Sequence, residues 1–132
     1  MSPDETVTDL SGCTKEKAML DCQKLDVYRV AIEFHGVAMK LARSKVLRDQ
    51  LERASSSIAL NIAEGVGRAT VADRRHFYVI ARGSASECGA IVDLLRAGEQ
   101  APADQCDRAM HLLIRIVQML TKLQRAAPPE VR

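Results

Sequence analysis

Aromatic residues supply only 3% of this 132-residue chain, with two tyrosines, two phenylalanines and no tryptophan. Seven glycines and four prolines, separated by long uninterrupted spans, leave too little turn punctuation for a many-stranded β protein. Nowhere do roughly eighteen apolar residues run together, and Met1 to Glu5 puts no basic segment ahead of an apolar run. Neither a membrane span nor a secretory leader is therefore expected, and the expected location is cytoplasmic. Cys13, Cys22, Cys88 and Cys106 lack CxxC or any other metal-ligand spacing, which points to reduced thiols. Cys88 and Cys106 fall on apolar helix faces, where a free cysteine acts as a small hydrophobe.

What the chain does have is 47% apolar and 27% charged residues, the balance of a soluble globular domain. One all-α domain is expected, with residues 1–22 as a flexible N-terminal tail holding at most a helical turn near Lys15 to Leu20. Residues 23–126 form a four-helix bundle and 127–132 a C-terminal tail. The first helix, from about Leu25 to Arg43, shows two apolar seams: Val27, Val30, Phe34, Val37, Leu41 and, beside them, Tyr28, Ile32, His35, Met39, Ala42. Its polar stripe is narrow for a lone bundle, which predicts a homo-oligomer.

The second helix, about Leu47 to Glu64, has Leu47, Leu51, Ala54, Ile58 and Ile62 on its main face. Its stop is expected at Gly65 and Gly67, through tolerance of positive φ. Asp73 is the expected N-cap of a third helix with the stripe Phe77, Ala81, Ser84, Cys88, Ile91, Leu95, ending near Gly98. Pro102 fits the first turn of a fourth, carrying Ala109, Leu113, Ile116, Leu120 and Leu123. Short connections make successive helices antiparallel neighbours, an up-down-up-down bundle.

Small residues and short polar pairs mark the middle helices, Asn61 with Glu64 and Ser84 with Glu87. These four are expected to form a hydrogen-bonded structural layer that fixes helix register. No histidine is placed to activate Ser57 or Ser84, and no nucleophile elbow occurs. The Glu-x-x-His pairs of di-iron bundles are missing, since Gly67 and Ala90 stand three residues after Glu64 and Glu87. His35, His76 and His111 lie on different helices, so no metal and no cofactor is expected. Gly65-Val66-Gly67-Arg68 lacks the Gly-Lys-Ser/Thr of a phosphate loop.

The run Gln50-Leu51, Arg53-Ala54, Ser57-Ile58, Asn61-Ile62-Ala63-Glu64-Gly65, Gly67-Arg68, continued by Phe77, Ala81, Gly83-Ser84 and Glu87, resembles a known family. This is the family of small bacterial four-helix proteins encoded in intervening sequences of 23S ribosomal RNA, which also includes the accessory variability determinant of diversity-generating retroelements. The likeness covers about Leu25 to Leu123. It implies a left-handed antiparallel bundle, a ring-like homopentamer and no catalytic activity. For the retroelement branch it also implies nucleic-acid binding and association with a reverse transcriptase.

Topology sharpens the small net charge of +2. In an up-down bundle one end gathers Lys24, Arg29, Arg68, Arg74, Arg75, Lys122 and Arg125 against Asp26, Glu64 and Asp73, a net of +4. The other end gathers Arg43, Lys45, Arg48, Arg96 and Arg108 against Asp49, Glu52, Asp93, Glu99, Asp104 and Asp107, a net of −1. Repeated around a ring, the basic end would hold a phosphate backbone without reading sequence. With no aromatic residue interleaved among those arginines, base stacking is not expected. The function this predicts is a non-enzymatic oligomeric scaffold that binds RNA, DNA or a nucleoprotein partner through Arg29, Arg68, Arg74, Arg75, Lys122 and Arg125. The alternative is a purely structural or protein-interaction ring.

Overall fold

Apolar residues spaced three and four apart fold the chain into four helices whose stripes meet in one core. In the computed structural model, which describes residues 7–8, 14–15, 18–41 and 43–126, these are α1 (Asp26–Leu41), α2 (Lys45–Val66), α3 (Val71–Ala97) and α4 (Ala103–Ala126). Before them lie a one-turn 3-10 helix at Asp21–Lys24 and two two-residue strands, β1 (Val7–Thr8) and β2 (Thr14–Lys15), paired antiparallel. The helical turn expected at Lys15 to Leu20 thus falls a few residues later, where the Gln23 side-chain carbonyl accepts the Leu20 N–H at 2.8 Å. Cys13 and the segment 127–132 lie outside the described residues.

The buried apolar set is Val27, Val30, Ala31, Phe34, Ala38 and Leu41 from α1; Leu51, Ala54, Ile58, Ala59 and Ile62 from α2; Tyr78, Ala81, Ala85, Cys88, Ile91, Val92 and Leu95 from α3; and Cys106, Ala109, Leu112, Leu113, Ile116 and Leu120 from α4. The main stripes of α2 and α4 match the sequence expectation, with Leu47 and Leu123 half-buried at their ends, whereas in α3 Ala81, Cys88, Ile91 and Leu95 are buried as expected, Phe77 and Ser84 are half-buried, and Ala85 and Val92 join the core. In α1 the buried seam instead runs through Ala31 and Ala38, while Val37 is only half-buried. Methyl-sized side chains let a neighbouring helix approach there. The second seam is divided: α2 half-covers Tyr28 and His35, and Ile32 stays 48% exposed.

Two helix ends depart from expectation for identifiable reasons. Thr70, not Asp73, caps α3, its hydroxyl accepting the Asp73 N–H at 3.1 Å, the geometry in which a threonine serves an otherwise unpaired donor of the first turn. Gly67 closes α2 at φ −78°, so positive φ is not what selects it. Gly65 lies inside the helix and is buried, because a Cβ there would meet the Tyr78 ring at 2.8 Å. The end of α3 is as expected, at Ala97 with Gly98 as its cap, and the left-handed residue that follows is Glu99, at φ 54°.

Inter-helix partners pin the arrangement. Along α2, Arg53, Ser57 and Gly65 meet Glu87, Ser84 and Tyr78 of α3, so the partner number falls as the α2 number rises. From α3 to α4 the same holds, with Arg75 on Gln124 and Arg96 on Asp107. Glu33 of α1 meets Arg108 of α4, and Leu25 to Val27 border one cavity with Met119, Lys122 and Leu123. The start of α1 and the end of α4 are therefore neighbours, as are the end of α2 and the start of α3.

Candidate functional site

Between α2 and α3 the small residues leave room for a polar cluster. Asn61 donates its side-chain amide to the Ser57 carbonyl at 2.8 Å and to the Ser57 hydroxyl at 3.0 Å. The Ser57 and Ser84 hydroxyls share a hydrogen bond of 2.8 Å across the helix interface. Ser57, Asn61 and Ser84 are half-buried, whereas Glu64 and Glu87 are exposed. Glu64 pairs with Arg68 one turn on, at 2.5 Å, and Glu87 pairs with Arg53 across to α2. The polar contacts between α2 and α3 are thus the Ser57–Ser84 hydrogen bond and the Arg53–Glu87 ion pair, while Asn61 braces Ser57 within α2 and Glu64 stays out of the cluster. Both glutamates lie where an arginine reaches them in water, which spares them burial without a partner.

A serine–histidine contact that sequence spacing did not reveal lies twenty residues apart in the chain: His35 Nδ1 is 2.8 Å from Ser55 Oγ. The Ser55 hydroxyl also donates to the Glu52 carbonyl at 3.2 Å. A hydroxyl carries one hydrogen, so Nδ1 is assigned the proton and donates to Ser55. Ser55 is fully buried. It is a satisfied core hydroxyl with no route to a substrate, and no metal-holding group of three His, Cys, Asp or Glu occurs among the described residues. No helix among them is long and apolar enough to cross a membrane.

The basic residues collect where the ends of α2 and α4 meet the starts of α1 and α3. Arg29 pairs with Asp26, Lys24 with Asp21 at 3.5 Å, and Arg68 with Glu64. Arg74 donates to the main-chain carbonyls of Arg68 and Ala69, at 2.9 and 3.2 Å. Arg75 donates to the Gln124 carbonyl at 3.2 Å, and Arg82 reaches the Gln124 side chain. A carbonyl orients a guanidinium without cancelling its charge. Among the described residues no carboxylate lies within ion-pair distance of Arg74, Lys122 or Arg125. Asp21 adds an acid and Arg82 a base to the sequence tally, so eight basic and four acidic groups leave the same +4. Elsewhere, Lys45 meets Asp49, Arg96 meets Asp107 and Arg108 meets Glu33.

One expectation about this end is overturned. Aromatic rings are interleaved with its arginines: the Arg68 guanidinium carbon sits 4.8 Å from the Phe77 ring centroid, and His76 contacts the same ring edge-on, with centroids 5.2 Å apart and planes at 73°. The signal was present in the run Arg74-Arg75-His76-Phe77-Tyr78, but helix periodicity assigns Phe77 to the core stripe and hides its half-exposed edge. Beneath it, burial pushes the Tyr78 hydroxyl above the usual tyrosine range, with the Arg74 charge opposing.

Comparison with known proteins bears on fold and kinship. A solved structure of a protein of unknown function from the S23 ribosomal protein family of Bacteroides thetaiotaomicron matches with a TM-score of 0.68 and 22% identity, covering 75% of this chain and 98% of that one. At that identity the likeness carries the fold alone. No curated protein matches the chain significantly. The family model of the 23S rRNA-intervening sequence proteins matches residues 23–122, and the chain belongs to that family.

Proposed function

We propose that this protein is a non-enzymatic helical scaffold that holds nucleic acid against the basic end of its bundle. The observation that carries this is the gathering of Arg74, Lys122 and Arg125 at one end with no carboxylate in ion-pair reach among the described residues. Contacts of that kind attract a phosphate backbone without reading sequence. In this view the helices run up-down-up-down with a left-handed twist, and copies close into a homopentameric ring in the cytoplasm, so that the basic end is repeated around an axis. Ile32 and Leu60, 48% and 68% exposed, support burial against another copy.

Fluorescence anisotropy with mixed RNA and DNA oligonucleotides tests it across a salt series. Binding should be indifferent to sequence and fall steeply with salt. Replacing Arg74, Arg75 and Arg125 together by glutamate should abolish binding while helicity and assembly mass stay unchanged. Absence of salt-sensitive binding by the parent protein at low ionic strength would refute the proposal.

A second reading rests on the groove between α1 and α2, about 220 Å³, lined by Tyr28, Ile32, His35, Ser56, Ala59 and Leu60 without a charged side chain. It favours a protein-interaction ring, with a reverse transcriptase or another protein as the partner and no nucleic-acid role.

A further inference from the structure

We propose that Arg68, its guanidinium carbon over the Phe77 ring, is a stacking platform for one unpaired base, so that the ligand of the basic end is single-stranded RNA or DNA. This rests on the nucleic-acid role proposed above for that end. Three restraints set the platform. Glu64 holds the guanidinium at 2.5 Å, the guanidinium carbon lies over the Phe77 ring at 4.8 Å from its centroid, and Arg74 fixes the turn that carries Arg68 by donating to its carbonyl and to that of Ala69. His76, exposed and edge-on to Phe77, stands beside it.

Because Glu64 already neutralises Arg68, this arginine adds little to phosphate attraction. Its distinctive property is a planar cation placed over an aromatic ring, with its side chain still 43% exposed. A guanidinium on a ring is a stackable surface in its own right, which a lysine ammonium is not. Every base has a π face, so such a platform is indifferent to sequence. A duplex keeps its base faces covered, whereas a single strand can turn one out. The neighbouring Arg74, Lys122 and Arg125 hold the backbone on either side, and Arg68 then selects strandedness.

The test compares two strands of equal phosphate number, a thymidine oligomer of roughly 20 nucleotides and its abasic counterpart, by anisotropy. The parent protein should bind the thymidine strand at least about fivefold more tightly, the factor of one base stack. Arg68→Lys, which keeps the charge, should erase the difference between the two strands, while helicity and assembly mass are retained. Equal binding of both strands by the parent would overturn the platform while leaving the basic-end reading standing, and this measurement needs no variant. An Arg68→Lys protein that keeps the parent's preference would also overturn it. Failure of the parent to bind either strand at low salt would overturn both readings.

Discussion

Gly65 and Gly36 both lie inside helices, yet alanine at the two positions should move stability in opposite directions. Alanine is favoured over glycine within a helix by up to about 1 kcal/mol. At Gly36 a Cβ would find nothing within 4 Å, so Gly36→Ala should stabilise by about 0.5–1 kcal/mol. At Gly65 the same atom would lie 2.8 and 3.2 Å from two carbons of the Tyr78 ring and 3.2 Å from the Phe77 Cβ. Carbon pairs are most stable at about 3.5–4 Å, so the ring must retreat by several tenths of an ångström. Tyr78 is 7% exposed and packed against the core, which leaves the ring little space.

Overpacking of this kind typically destabilises by about 1–3 kcal/mol. Set against the helix gain, a net loss of about 1.5 kcal/mol is expected for Gly65→Ala. With a urea slope of about 1.5 kcal/mol per molar, the midpoint should fall by about 1 M for Gly65→Ala and rise by about 0.5 M for Gly36→Ala. Both are followed by circular dichroism at one protein concentration, because assembly would couple stability to concentration. A Gly65→Ala protein as stable as its parent would refute the close approach of α2 to Tyr78, and with it the packing that supports Phe77.

Burial, reinforced by the Glu87 carboxylate and opposed by Arg53, pushes the Cys88 thiol up to about 12. The unfolded thiol releases its proton near 9.0 while the folded one retains it, so the folded state binds more protons in between and stability should fall as pH rises from about 9 towards 12. Cys88→Ala should flatten that decline, and parallel profiles for the two proteins would refute the assignment. For assembly, Ile32→Glu combined with Leu60→Glu should bring the light-scattering mass down to the 14.5 kDa of one chain with helicity intact. An unchanged multimer would exclude the groove between α1 and α2 as its contact. A charge at Val30, 6% exposed, would instead unfold the subunit.

How much of this was legible in the sequence depended on the range of the interaction. Stripes such as Leu51, Ala54, Ile58 and Ile62 repeat at the helical period, and each predicts its own burial. Gly65 was visible as a glycine, but its reason lies in a ring on another helix, which no local rule supplies; backbone freedom was the nearest local explanation and was wrong. Thr70 and Asp73 both suit a cap, and only the observed start of α3 at Val71 separates them. The His35–Ser55 and Arg68–Phe77 contacts join residues 20 and 9 positions apart that share no periodic pattern. Pairwise contacts across helices carry the candidate site, and periodicity is blind to them.

The small-residue packing and the basic end are connected through that same junction. Ser57 and Ser84 meet at 2.8 Å, a distance open to two short side chains only if α2 and α3 run close together. A buried Gly65 lets the close approach continue to the helix end, where Tyr78 fills the space a Cβ would take. Phe77, the residue before Tyr78, is thereby turned to the rim of the bundle, within 4.8 Å of Arg68. Only Val66, the last residue of α2, and the capping Gly67 separate the close contact from Arg68, too short a span to absorb a shift of the ring. Any substitution that widens the α2–α3 approach should therefore disturb Arg68 before it melts a helix, and the loss of base preference in the strand comparison is the more sensitive readout of that change.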